Sequence, residues 1–136
     1  MIKRSILLAE DDEDDQQFFQ NFLQNRSDIA LLPIAENGVV LIDFLEEIKD
    51  GAGLPDFIIL DQNMPKMNGL QTLKTLKESS RYAHIPVMLY STYTDDTLIK
   101  TGSDLGACLV MVKPITKEGY DKLITEFLKC MSQQTE

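Results

Sequence analysis

The chain has 136 residues, of which 43% are hydrophobic and 26% charged, and a formal net charge of −9. That length suits one domain with a sizeable core, and the composition excludes a disordered chain. No apolar stretch approaches the roughly 18 residues of a membrane helix, and the negative balance argues against nucleic acid or an anionic membrane surface as a direct partner.

Met1 to Ser5 leads into an apolar run, Ile6 to Ala9, which acidic residues end at once, so no signal peptide is expected. The expected compartment is the cytoplasm. Cys108 and Cys130 have neither a CxxC partner nor metal-ligand spacing and are expected as reduced thiols. His84 is the single histidine, which argues against a His-based metal site or a Ser-His triad and leaves it to pack a loop before Pro86.

In chain order, Ser5 to Ala9 reads as a first strand, followed by a helix over about 14–24 with Phe18, Phe19, Phe22 and Leu23 on one face. A second strand is predicted over Ala30 to Ala35, and Pro33 within it points to a sheet edge. After Asn37-Gly38, the spacing of Leu41, Phe44, Leu45 and Ile48 predicts a second helix. Gly51 to Pro55 breaks the chain before a third strand, Phe57 to Leu60, and a loop with Pro65 and Gly69 leads to a helix carrying Leu70, Leu73 and Leu76. Val87 to Tyr90 is the fourth strand. The helix over about 95–105 is the weakest pattern, because Gly102 costs about 1 kcal/mol relative to Ala in a helix interior. Cys108 to Val112 is the fifth strand, and a last helix over about 117–131 carries Tyr120, Leu123, Ile124, Phe127, Leu128 and Met131 as a core stripe.

This alternation predicts an α/β fold: one doubly wound, five-stranded parallel sheet, flavodoxin-like, in the order 2-1-3-4-5. Strands one, three, four and five read as doubly buried runs. In such sheets ligands bind beyond the carboxyl ends of the strands, at the switch between strands one and three. Glu10-Asp11-Asp12 stand at the first of those ends, Asp61 at the third, Ser91-Thr92 at the fourth and Lys113-Pro114 at the fifth. Crowded carboxylates repel, and a hard divalent cation such as Mg2+ removes that penalty. A cation, an acid, a hydroxyl and a lysine together equip a site for phosphoryl transfer. Asp12 to Asp15 read differently, as a solvated acidic start to the first helix.

Over about residues 3–131 the chain resembles the receiver domain of two-component response regulators. The resemblance rests on Ile6-Leu7-Leu8-Ala9-Glu10-Asp11, the segment Ile58 to Gly69 (IILDQNMPKMNG), Ser91-Thr92 and Val112-Lys113-Pro114, in order and each at a strand end. It implies that Asp61 is the phosphoacceptor and that Asp11, Asp61 and the Asn63 carbonyl ligate Mg2+, with Glu10 acting through a metal-bound water. It further implies that Ser91 and Lys113 hold the phosphoryl group and that the Lys113–Pro114 bond is cis. The implied partners are a histidine kinase or phosphotransfer protein and a downstream protein target. With five residues after the last helix, a single receiver domain without an output domain is expected. Asn68 stands where the family usually has Asp, and Val110 where it often has an aromatic switch. Tyr93, two residues after Ser91, is expected to shield the site and slow hydrolysis.

Two rival readings are a phosphorylation-independent pseudo-receiver and an Asp-nucleophile phosphatase of the haloacid dehalogenase type. The first predicts loss of Asp61, its acidic partners or Lys113, and all are present. The second needs D-x-D-x-[TV], whereas the segment here is Asp61-Gln62-Asn63-Met64-Pro65.

Overall fold

Two-residue periodicity within each apolar run decides which helices cover which face of the sheet. The computed structural model describes residues 3–134, with side chains described through residue 130. Strands β1 (Arg4–Ala9), β2 (Ile29–Leu31), β3 (Phe57–Asp61), β4 (Val87–Ser91) and β5 (Leu109–Val112) alternate with helices α1 (Glu13–Leu23), α2 (Gly38–Glu47), α3 (Gly69–Glu78), α4 (Asp96–Asp104) and α5 (Lys117–Gln134). All strand pairs are parallel and the order is 2-1-3-4-5, as the sequence predicts. Ile6, Leu8, Phe57, Ile59, Met88 and Tyr90 face one side and pack with Phe19, Phe22, Tyr120, Leu123 and Phe127 of α1 and α5. Leu7, Ile58, Leu60, Val87 and Leu89 face the other side, with Leu41 and Leu45 of α2 and Leu73 and Leu76 of α3. Each such fully buried side chain contributes about 1.5–3 kcal/mol. Among the described residues no helix is long and apolar enough to cross a membrane.

The helix starts are set by side-chain caps. Asp12, Asn37, Asn68 and Asp95 accept from the backbone N–H three residues on, capping α1, α2, α3 and α4. Asn68 and Gln71 form a reciprocal capping box, so Asn in place of Asp serves this turn well. Asp95, and not Ser91, caps α4. Gly102, the weak point of the α4 pattern, is buried where a Cβ would lie 2.9 Å from both Leu89 Cδ1 and Val110 Cγ2. Close packing of α4 on the sheet requires a residue without a side chain there.

Four expectations need correction. β2 ends at Leu31; past the Leu32 N–H, which still donates to the Ile6 carbonyl, the chain rejoins β1 only through Ala35, bridged to Ala9, and Pro33 stands where the edge strand's nitrogen faces away from β1. β5 is not doubly buried, since it forms the other sheet edge, and Val112 is exposed. Phe18 is exposed at the flank of α1, while Phe19, Phe22 and Leu23 carry the buried face. Cys108 and Cys130 are joined in a disulfide with Cα atoms 6.1 Å apart. Their spacing of 22 residues gives no sign of this; it follows from α5 returning across the start of β5. Met131, the last residue of the α5 stripe, has its side chain outside the described residues.

Candidate functional site

Strand register gathers the polar residues at the carboxyl edge of the sheet. Ala9 lies beside Leu60, and Asp61 beside Tyr90, so Glu10, Asp61 and Tyr90 occupy adjacent strands at the same level. They continue the alternation of Leu8, Ile59 and Met88, which places them on the α1/α5 side. Ser91 lies beside Val112, and Lys113 follows, its N–H donating to the Ser91 carbonyl at 2.8 Å. On the far side of Asp61, α3 starts close against the end of β3. A Cβ on Gly69 would sit 2.8 Å from the Asp61 carbonyl oxygen and 2.9 Å from Gln62 Cα, and backbone atoms cannot yield.

Glu10 and Asp61 are fully buried, while Asp11 is exposed at the rim. Oxygens of these three carboxylates lie within 4.8 Å of one another. Lys113 Nζ is 3.1 Å from Glu10 Oε1, 3.3 Å from Asp61 Oδ2 and 2.9 Å from Asp15 Oδ2. Asp61 Oδ1 accepts from the Asn63 N–H at 3.2 Å. Asp61 Oδ2, although close to Lys113, has no hydrogen-bond partner, whereas the ammonium donates to Asp15 and Glu10. It is a buried carboxyl oxygen with a Coulombic neighbour and no donor. Ser91 is buried, and its Oγ is 3.5 Å from Asn63 Nδ2.

Electrostatics follow from this crowding. Burial, then repulsion by Glu10, pushes the Asp61 carboxyl up to about 8, with Lys113 and the Asn63 N–H opposing. Burial alone would lower the Lys113 ammonium, but Asp15, Glu10 and Asp61 outweigh it and hold it above its ordinary value. Three carboxylates thus share one ammonium. An orphaned carboxylate oxygen beside two more carboxylates is a donor set that fits a hard divalent cation, with Glu10, Asp11 and Asp61 as the residues that could hold it.

The sequence-predicted residues Glu10, Asp11, Asp61, Asn63, Ser91 and Lys113 are thus brought to one edge. Two expectations fail here. The Lys113–Pro114 bond is trans, as are all peptide bonds among the described residues; trans is the lower-energy isomer by about 0.5–1 kcal/mol, and Lys113 reaches the carboxylates with it. Tyr93 lies on the loop beyond β4 and is 72% exposed, so the expected shield is not formed in this conformation.

Two residues were missed. Tyr90 read only as the end of an apolar strand, yet its hydroxyl donates to Glu10 Oε1, its ring lies 5.2 Å from Lys113 Nζ, and Phe19 packs edge-on at 5.6 Å. Burial and the neighbouring carboxylates keep its phenol protonated. Parity with Met88 was the available signal. Asp15, read as a solvated helix-start acid, is only 24% exposed and makes the shortest contact to Lys113.

Known proteins agree with this architecture. The family model for the response regulator receiver domain matches residues 6–125. The transcriptional regulatory protein YdfI of Bacillus subtilis (strain 168) is 27% identical over 113 residues, which are 83% of this chain and 49% of that protein. The nitrate/nitrite response regulator protein NarL of Escherichia coli (strain K12) is 35% identical over 102 residues, 74% of this chain and 45% of that protein. The chain spans about half the length, or less, of these curated relatives. The solved Mn(2+)-bound form of response regulator Rcp1 shares the fold at a TM-score of 0.72 and 24% identity, over 95% of this chain and 90% of that one. With the family match and the sheet-edge geometry together, the chain belongs to the response regulator receiver domain family.

Proposed function

We propose that this receiver domain accepts a phosphoryl group on Asp61 from a histidine kinase or phosphotransfer protein, with Mg2+ held by Glu10, Asp11, Asp61 and the Asn63 carbonyl. The observation that carries this reading is the buried Asp61 carboxylate, whose Oδ2 has no hydrogen bond and lies 3.3 Å from Lys113 Nζ. Asp61 attacks the phosphorus of a donor phosphohistidine; the P–O bond forms, the P–N bond breaks, and the leaving imidazole takes up a proton. With its carboxyl pushed up to about 8, Asp61 is a poor nucleophile until nearby positive charge stabilises the carboxylate. Bound Mg2+ supplies that charge and offsets the charge on the phosphoryl oxygens. Lys113 pairs with a phosphoryl oxygen, and the Ser91 hydroxyl donates to another. That Rcp1, of the same fold, has a Mn(2+)-bound form supports divalent-cation binding by this fold.

The added charge, about −1.5 to −2 near neutral pH, then biases a surface that a protein partner reads. Ile99 on α4, Val112 on β5 and Ile115 in the turn before α5 are exposed apolar side chains, and they support that face as the output surface. The net charge of −9 speaks for a protein target over nucleic acid.

Incubation with Mg2+ and acetyl phosphate, followed by intact mass, tests the reading. One phosphoryl adduct, absent in Asp61→Asn, is expected. No adduct and no binding of beryllofluoride would instead mark a phosphorylation-independent interaction module, and continuous release of phosphate an enzyme.

A further inference from the structure

The ammonium of Lys113 is poised for a residue outside the predicted site. Its three nearest acceptors come from different elements: Glu10 after β1, Asp61 at the end of β3 and Asp15 in the first turn of α1. Of these, Asp15 Oδ2 is the closest, at 2.9 Å, and it accepts a hydrogen bond, whereas Asp61 Oδ2 at 3.3 Å receives none. Asp15 is not one of the three clustered carboxylates that could hold a cation. Its own position is fixed: its N–H donates to the Asp12 cap at 2.9 Å, in a helix anchored by buried Phe19, Phe22 and Leu23. Lys113 is confined from behind by the Tyr90 ring, 5.2 Å away, and by its backbone bond to Ser91. Where it rests, the ammonium is bonded to Asp15 at 2.9 Å and stands 3.3 Å from Asp61 Oδ2 without a hydrogen bond to it.

Building on the phosphoacceptor reading, we propose that Asp15 is a positioning residue that holds Lys113 in a resting place, so that Lys113 must leave Asp15 to engage a phosphoryl group on Asp61. Asp15 thereby opposes the phosphorylated state. A phosphoryl group carries more charge than a carboxylate and wins the ammonium, but the net gain is reduced by the pair that is given up. An acid placed only to favour the helix start would affect stability and leave phosphoryl binding unchanged.

The test is beryllofluoride affinity of the full chain at saturating Mg2+, measured for wild type, Asp15→Asn, Asp15→Glu, and Asp15→Asn combined with Lys113→Met. Removing a partly exposed ion pair that competes with the ligand should tighten binding about fivefold in Asp15→Asn. Asp15→Glu, which keeps the charge and the reach, should bind as wild type does. In the Lys113→Met background the Asp15→Asn substitution should have no effect, a coupling that a merely structural role would not produce. Unchanged or weaker binding in a folded Asp15→Asn overturns the proposal. So does tighter binding that persists undiminished without Lys113, since Asp15 would then act by direct repulsion. Failure of wild type itself to bind beryllofluoride removes the phosphoacceptor reading and this proposal with it, an outcome distinct from the other two.

Discussion

Replacing Asp61 with Asn should stabilise the metal-free protein near neutral pH. The folded carboxyl is pushed up from 3.8 to about 8, by burial first and by Glu10 second. Between those values the folded state keeps a proton that the unfolded state has released. The unfolded state therefore binds fewer protons, and stability falls as pH rises through this window. At about 1.4 kcal/mol per pKa unit, four units set an upper figure of about 6 kcal/mol. Relaxation of Lys113 toward Oδ2 recovers part of that, and a gain of about 2–4 kcal/mol at pH 7.5 is expected. Asn has the same shape and no charge to desolvate, and it can donate to Glu10. Urea unfolding without metal at pH 7.5 and pH 4 is the assay, repeated at pH 7.5 with millimolar Mg2+. The gain should shrink to about 0.5 kcal/mol at pH 4, where wild-type Asp61 is protonated in the folded state and nearly half protonated in the unfolded one. Mg2+ should raise the stability of wild type and not that of the variant. An Asn variant no more stable than wild type at pH 7.5, or equally stabilised at pH 4, would refute the electrostatic argument.

Other consequences follow from the same geometry. Because Mg2+ competes with a proton on Asp61, its affinity by calorimetry should climb up to about tenfold per pH unit below pH 8 and level off above it. Gly69→Ala should destabilise the fold by about 2 kcal/mol or more in denaturant titrations, since its Cβ meets backbone atoms of Asp61 and Gln62. Under non-reducing conditions, Cys130→Ser should cost about 3 kcal/mol for a closed loop of this length, and reductant should cost wild type the same amount. With Tyr93 turned outward, Tyr93→Ala should leave the half-life of the aspartyl phosphate within about twofold; a severalfold shorter half-life would show that the ring closes over the site.

Much of the candidate site was legible because its residues follow directly on apolar runs. Asp11, Asp61, Ser91 and Lys113 stand at strand ends, and a parallel sheet carries all its strand ends to one edge. What sequence reasoning lost are contacts that depend on which helix covers which face. Asp15 looks like any acid at a helix start until α1 is laid over the side that carries Glu10, Asp61 and Lys113. Tyr90 looks like core until the register sets its hydroxyl on Glu10.

The sequence by itself determined the element order, the parallel sheet and the identity of the carboxylate, hydroxyl and lysine at its edge. Periodicity and strand-end position are local properties, and they survive without knowledge of packing. Only the tertiary structure decided that β5 is an exposed edge, that α5 brings Cys130 onto Cys108 and that the Lys113–Pro114 bond is trans. It alone decided that a single ammonium is divided among Glu10, Asp15 and Asp61. These depend on distances between segments remote in the chain, which no spacing along it encodes.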